Sequence, residues 1–139
     1  LGNFTLPIAR RAGRVLGIEA DEGLIAKAHR NASRNAIGNA EFRLGDLYHA
    51  EAPNPWEGGR FGKWLLDPPR TGAIEVVRRL PETGDPQRIV YVSCNPATLA
   101  RDSEVLVHAK GYRLKAAGAM DMFPQTSHVE AMALFERPD

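Results

Sequence analysis

The sequence predicts an α/β domain built on a doubly wound sheet that is mostly parallel. Segments with strand-like patterns alternate with segments of helical periodicity along most of the 139 residues. The segment 88–92, RIVYV, is almost entirely apolar, which is typical of a parallel strand covered on both faces. No helical segment separates the last two strand-like segments, so we expect them to form an antiparallel pair at one edge of the sheet.

The first half of the chain contains two predicted strands around one predicted helix. The short apolar run at 14–20 indicates a strand that ends near an acidic residue. The apolar residues of 21–38 share one helical stripe, so this segment predicts a helix with Asp21 as N-cap and Gly38 as its C-terminal stop. The alternating pattern at 39–47 favours the second strand.

The second half of the chain opens with a loop-like segment at 51–60 and then repeats the alternation. Two prolines end its first strand, since proline cannot donate a backbone hydrogen bond. A proline also opens its second helix, and proline is favoured in the first turn of a helix. Met120 and Met122 are expected in the core. The predicted elements are a strand at 61–69, a helix at 72–81, a strand at 88–94, a helix at 96–111, and strands at 112–123 and 127–137.

The chain begins with the segment LGNFTLPIARRAG at 1–13, which predicts the tail of a glycine loop entering a helix. A doubly wound domain starts with a strand before that loop. We therefore expect the first strand and the loop to lie upstream of Leu1. On this interpretation residues 1–139 are one domain that is truncated at its N-terminus.

Composition and charge restrict the classes of protein that this chain can belong to. A single cysteine excludes an internal disulfide framework and a multi-thiolate metal site, so we expect no metal here. The net charge of +1 does not by itself indicate a nucleic-acid binder. No apolar run reaches the roughly 20 residues of a membrane span, and no signal-peptide pattern opens the chain, so a cytoplasmic location without a membrane partner is predicted.

Several polar or small residues follow predicted strands, where open parallel sheets bind their ligands. Gly2 allows close approach of the backbone to a ligand, but it is equally a helix-start glycine. Glu19 suits the hydroxyls of a ribose, and Asp46 suits an adenine amine or a simple turn. The residues at these ends, in chain order, are Gly2, Asn3, Glu19, Asp46, Asp67 and Cys94.

The two segments LLDPPR and VSCNP carry the most specific patterns. Two prolines stiffen the loop that holds Asp67 and Arg70, although they also serve to end a strand. Cys94, the only cysteine, precedes a helix N-terminus whose dipole favours a thiolate. The alternative for a lone cysteine is a small buried apolar residue.

Five segments together resemble the uracil-5-methyltransferases that modify RNA with S-adenosylmethionine, and most closely their bacterial branch acting on 23S ribosomal RNA. The resemblance covers almost the whole chain. The segments are LGNFTLPIA, VLGIEA, LLDPPR, VSCNPATLARD and FPQTSHVE.

The resemblance implies a class I methyltransferase domain with a Rossmann-like fold, S-adenosylmethionine as cofactor and RNA, specifically 23S ribosomal RNA, as partner. It implies Cys94 as the nucleophile and Glu130 as the general base, with His128 as a rival base. Phe123 and Pro124 are candidates for stacking on the target base. Positions that align with cofactor contacts in the family are Gly2, Asn3, Glu19, Asp46 and Asp67. Family members also have an RNA-binding barrel and a central domain, often with an iron–sulfur cluster, that are not within these residues.

Three other interpretations remain open from the sequence. The same chemistry on a transfer-RNA uridine is an alternative within the family, although the segments SCNPATLARDS and MDMFPQTSHVE favour the ribosomal branch. A nucleotide-binding module of an NAD-linked oxidoreductase is suggested by Glu19 after a strand, but it leaves DPPR and SCNP unexplained. A fragment that folds without binding any cofactor is the third.

Overall fold

The computed structural model describes residues 1–48, 53–122, 125–126 and 129–138. It divides into two compact units, Leu1–Gly58 and Gly59–Asp139. None of the helices in the described ranges is long and apolar enough to cross a membrane.

The first unit contains a two-stranded parallel sheet. Asp21 caps the second helix as predicted, since its Oδ1 accepts the Leu24 N–H at 2.8 Å. That helix buries Ala28 and Ala32, which belong to the predicted apolar stripe. The sheet runs from Val15 opposite Ala40 to Glu19 opposite Leu44. The elements are α1 (Thr5–Ala9), β1 (Val15–Glu19), α2 (Glu22–Arg34) and β2 (Ala40–Leu44).

The C-terminal end of α2 differs from the prediction. The helix ends at Arg34 rather than continuing to a stop at Gly38. Ala36 adopts a left-handed backbone with φ 53°, and the Ile37 N–H donates to the Ala32 carbonyl at 2.9 Å. This is the closing bond of a Schellman motif, here with alanine where glycine is usual.

The second unit contains a mixed four-stranded sheet with the order β3-β4-β6-β5. β3 pairs with β4 in parallel, whereas β6 is antiparallel to both β4 and β5. The predicted antiparallel pair is therefore confirmed, with β5 at the edge. The elements are β3 (Lys63–Leu66), α3 (Ile74–Arg79), β4 (Arg88–Ser93), α4 (Pro96–Glu104), a π-helical turn (Val105–Ala109), β5 (Arg113–Met120) and β6 (Glu130–Glu136).

One face of this sheet forms the core of the second unit. Along β4, Tyr91 and Ser93 are buried while Val90 and Val92 are only partly buried. Alternation along a strand places the two sets on opposite faces. The expectation that Met120 and Met122 lie in the core is wrong, because β5 is an edge strand and these side chains are 38% and 59% exposed. The largest buried side chains of this unit are Tyr91, Tyr112, Phe135, Leu80, Ile89 and Leu106.

Candidate active site

Three of the predicted site residues come together at one edge of the four-stranded sheet. Because β3 and β4 are parallel, Asp67 and Cys94 both follow strands that end at this edge. β6 runs in the opposite direction, so its first residue, Glu130, begins at the same edge. The topology thus groups residues that are far apart in the sequence.

Cys94 and Glu130 adjoin the last pair of the ladder that joins two adjacent strands. Ser93 is paired with Ala131 in the antiparallel ladder of β4 and β6. Cys94 follows Ser93 and Glu130 precedes Ala131, so both residues lie at the same end of this ladder. Cys94 is a free thiol, and both residues are partly buried. A thiol and a carboxylate are therefore placed to act on the same small molecule.

Each of the three residues adjoins a buried residue at the end of a strand. Ser93, Ala131 and Leu66 are buried. Cys94, Glu130 and Asp67 are their chain neighbours at this edge of the sheet.

Besides desolvation, the negative charge of Glu130 contributes to the raised pKa of the Asp67 carboxyl. Desolvation by the surrounding atoms raises the pKa of the Asp67 carboxyl, and the negative charge of Glu130 raises it further. Asp67 follows β3 and Glu130 opens β6, and these two strands flank β4. Like charges held at one edge raise the cost of ionising Asp67.

Replacing Glu130 with glutamine is expected to lower the pKa of Asp67, because it removes the like charge. Folding raises this pKa, so the folded state binds the proton more readily than the unfolded state. Stability therefore falls as pH rises through the window just above the ordinary aspartate pKa, and Glu130→Gln makes that fall smaller. Carboxyl-detected NMR titration measures the pKa. Glu136→Gln, at the far end of β6, is the matched control and is expected to leave Asp67 unchanged.

In the first unit, Glu19 ends β1 and is held by the start of the next helix. Its Oε1 accepts the backbone N–H groups of Ala20 at 3.0 Å and Asp21 at 3.4 Å. Its own carbonyl accepts the Gly45 N–H at 3.0 Å, which ties the carboxyl ends of β1 and β2 together. These side-chain bonds use one carboxylate oxygen and orient the group at the strand end.

Asp46, which follows β2 in the same unit, forms a turn. Its Oδ1 accepts the Tyr48 N–H at 2.9 Å, and the side chain is exposed. The turn-forming interpretation of Asp46 is thereby confirmed, while a contact to an adenine amine stays a prediction.

Gly2 and Asn3 belong to the turn that leads into α1. Gly2 has a φ of 81°, and a Cβ on it would lie 3.1 Å from Leu6 Cγ. Its carbonyl accepts the Leu6 N–H at 3.0 Å. The backbone geometry alone therefore requires glycine at this position, and the role of Gly2 and the exposed Asn3 in ligand binding stays a prediction.

Three residues named from the sequence, Phe123, Pro124 and His128, lie outside the described residues. The side chains of α4 that hydrogen-bond to the loop of Asp67 were not predicted from the sequence. Their acceptors are backbone carbonyls, which no sequence pattern marks. Within the described ranges, no group of three or more histidine, cysteine, aspartate or glutamate side chains is arranged to hold a metal ion.

The fold and this edge site define a class I methyltransferase domain. Magnesium protoporphyrin IX methyltransferase from Synechocystis, solved with bound S-adenosylmethionine, matches 99% of this chain and 65% of its own with a TM-score of 0.70 and 19% identity. At that identity the likeness concerns the fold alone. The tRNA (uracil-54, C5)-methyltransferase of Pyrococcus abyssi, in complex with S-adenosyl-L-homocysteine, matches 96% of this chain and 31% of its own with a TM-score of 0.79 and 38% identity.

The sequence comparisons then identify the family. The model of the tRNA (Uracil-5-)-methyltransferase family matches residues 57–138, and this chain belongs to that family. The 23S rRNA (uracil(1939)-C(5))-methyltransferases RlmD of Thiobacillus denitrificans and Alkalilimnicola ehrlichii are 61% and 58% identical over 99% of this chain. The chain spans about a third of the length of these relatives, 32% and 31%. The resemblance and the fold class predicted from the sequence are confirmed, and the oxidoreductase interpretation is excluded.

Proposed function

We propose that the protein carrying this chain transfers a methyl group from S-adenosylmethionine to carbon 5 of a uridine in 23S ribosomal RNA, through a covalent bond between Cys94 and carbon 6. The mechanism is supported by the position of Cys94 and Glu130 at the same end of the ladder between β4 and β6. The RNA class is supported by the relatives at 61% and 58% identity, which are named as 23S rRNA methyltransferases.

The first chemical task is to make carbon 5 of uracil nucleophilic. The Cys94 thiolate adds to carbon 6, and the electron pair of the 5,6 double bond moves into an enolate at carbon 4. Carbon 5 thereby becomes nucleophilic and takes the methyl group from S-adenosylmethionine. The methyl–sulfur bond of the donor breaks as the methyl–carbon bond forms, and S-adenosylhomocysteine leaves. This is nucleophilic catalysis of the kind that divides one difficult step into two, and Cys94 is the only thiol in the 139 residues.

The second task is to restore the aromatic ring. After methylation, carbon 5 carries both the methyl group and its original proton. Glu130 removes that proton, the 5,6 double bond re-forms, and the bond between carbon 6 and the Cys94 sulfur breaks to release the thiolate. A base that acts on the ring while sulfur is still attached must lie within reach of the same ring as the nucleophile. Glu130 is proposed for this role because it precedes Ala131, the ladder partner of Ser93.

The chain offers carboxylates that fit the methyl donor, which is consumed as a co-substrate and supplies an activated methyl group. Glu19 is oriented at the end of β1 by two backbone N–H groups, and a carboxylate held in this way accepts both hydroxyls of a ribose. On the basis of the family motifs we also propose cofactor-binding roles for Gly2, Asn3 and Asp46 in the first unit and, separately, for Asp67 in the second.

The proposed substrate must leave its stack, because neither Cys94 nor Glu130 can reach a ring that stays paired in a helix. A single-stranded loop or a flipped nucleotide is therefore the expected target. We also propose that residues 1–139 are the catalytic domain of a longer cytoplasmic protein whose other domains, an RNA-binding barrel and a domain that holds an iron–sulfur cluster in many relatives, select the RNA.

The choice of RNA is tested by comparing substrates. The complete protein carrying this chain is incubated with methyl-labelled donor and either 23S ribosomal RNA or bulk transfer RNA, both from cells that lack uracil-5 methylation. We expect methyl incorporation into 23S RNA to be faster by about 100-fold, a ratio that a few specific contacts supply. Equal rates, or faster labelling of transfer RNA, would contradict the ribosomal assignment and favour the substrate of the Pyrococcus abyssi relative.

A further inference from the structure

The loop that carries Asp67 is fastened along its second half to one face of α4. The carbonyl of Arg70 accepts hydrogen bonds from Asn95 Nδ2 at 3.0 Å and Thr98 Oγ1 at 3.2 Å. The carbonyl of Thr71 accepts one from Arg101 Nη2 at 2.9 Å. Residues 95, 98 and 101 recur every three positions, so they lie on the same side of the helix. The loop is thus bound to the helix that begins immediately after Cys94.

The loop approaches α4 so closely that only glycine fits at position 72. Gly72 has a φ of 81°, and a Cβ there would lie 2.7 Å from both Arg101 Nη2 and Asp102 Oδ2. Both the conformation and the missing side chain are therefore required. A loop packed at this distance moves with the helix rather than independently of it.

Asp102 anchors the far end of the same loop from within the core. It is fully buried, and its Oδ2 accepts from Tyr91 Oη at 2.5 Å and from the Ala73 N–H at 2.7 Å. Its Oδ1 accepts from Arg101 Nε at 2.9 Å and Nη2 at 2.7 Å. Burial and the Asp102 hydrogen bond raise the pKa of Tyr91, which keeps the phenol a neutral donor. A buried carboxylate with this many partners is rigidly held.

Asn95 is the member of this network that lies next to the nucleophile. It is the N-cap of α4, where its Oδ1 accepts the Ala97 N–H at 3.1 Å. Its backbone N–H donates to Ser93 Oγ at 3.0 Å, and Ser93 Oγ donates to its carbonyl at 2.9 Å. These bonds close a tight turn around Cys94. The amide Nδ2 of the same residue holds the Arg70 carbonyl, so one side chain joins the two loops.

We propose that Asn95 is a positioning residue, whose amide fixes Cys94 relative to the loop of Asp67 and Arg70. This inference rests on the proposed function, since the position matters only if Cys94 attacks a base held at this edge. Capping alone does not explain the residue, because aspartate and serine cap a helix as well as asparagine does. What neither of them retains is the amide donor to Arg70.

The experiment uses two substitutions that keep the cap. Asn95→Asp preserves the shape of the side chain but removes the donor and places a carboxylate against a carbonyl. Asn95→Ser replaces the amide donor with a shorter hydroxyl and adds no charge. Asn35→Asp is the matched control, because Asn35 Nδ2 also donates to a backbone carbonyl, that of Asn31 at 2.8 Å, at the end of α2.

Single-turnover methylation of 23S RNA by the complete protein distinguishes a misplaced Cys94 from a loss of folded, active enzyme. We expect both Asn95 variants to react about 10- to 100-fold more slowly, as a misplaced reacting group does, with an unchanged fraction of active enzyme and unchanged RNA affinity. Asn35→Asp should react at the wild-type rate. Wild-type rates in both Asn95 variants, or a loss of active fraction at an unchanged rate, would overturn the role of Asn95. A wild-type protein that transfers no methyl group would instead overturn the proposed function itself, and the role with it.

Discussion

Cys94→Ser is expected to abolish methyl transfer, lowering the rate with 23S RNA by at least about 10⁴-fold, as loss of a nucleophile does in other covalent enzymes. The serine hydroxyl has nearly the same size but does not ionise near neutral pH, so it does not add to carbon 6. Without that addition, carbon 5 stays a poor nucleophile. Incorporation of a labelled methyl group into RNA, measured on the complete protein, gives the rate.

The same variant should keep its fold and its ligands. Cys94 lies between the buried end of β4 and the cap of α4, and its sulfur is only partly buried. We therefore expect the midpoint of thermal unfolding and the affinity for S-adenosylhomocysteine to match the wild type. A Cys94→Ser protein that methylates RNA at the normal rate would exclude covalent catalysis by this residue and remove the basis of the proposed mechanism.

The sequence predicted the elements that are determined by residues close together in the chain. β4 was recognisable because its apolar run is covered on one face and partly covered on the other, and the start of α2 because Asp21 is a local cap. The end of α2 was placed wrongly at Gly38. The helix ends instead at Arg34, and Ala36 takes the left-handed conformation that glycine usually adopts, so no glycine marks the observed stop.

The site residues divide in the same way. Some are indicated by their position in the chain, and others reach the site only through the topology of the sheet. Asp67 and Cys94 follow strands in the chain direction, so the rule for parallel sheets indicated them. Glu130 begins a strand instead, and it reaches the same edge only because β6 runs antiparallel beside β4. Only the family resemblance singled it out as a base. The Asn95 bridge was missed for a further reason, since its acceptor is a backbone carbonyl that every residue possesses.

Glu130→Gln is expected to stop the reaction one step later than Cys94→Ser does. Glutamine keeps the size of the side chain but does not remove a proton, so the methylated ring stays bonded to sulfur. Turnover should fall by about 10²- to 10⁴-fold, the usual contribution of a general base. A protein–RNA species that survives denaturing electrophoresis and carries the labelled methyl group should accumulate in proportion to enzyme.

Two further variants show whether the protein–RNA species is bonded through Cys94 and which residue acts as the base. Combining Glu130→Gln with Cys94→Ser should remove it completely, because no sulfur is present to form the bond. His128→Asn tests the rival base, which lies two residues before Glu130 in the sequence. If His128→Asn accumulates the labelled adduct while Glu130→Gln turns over normally, the base is His128. If Glu130→Gln traps the adduct and His128→Asn does not, the carboxylate that opens β6 completes the reaction that the thiol at the end of β4 begins.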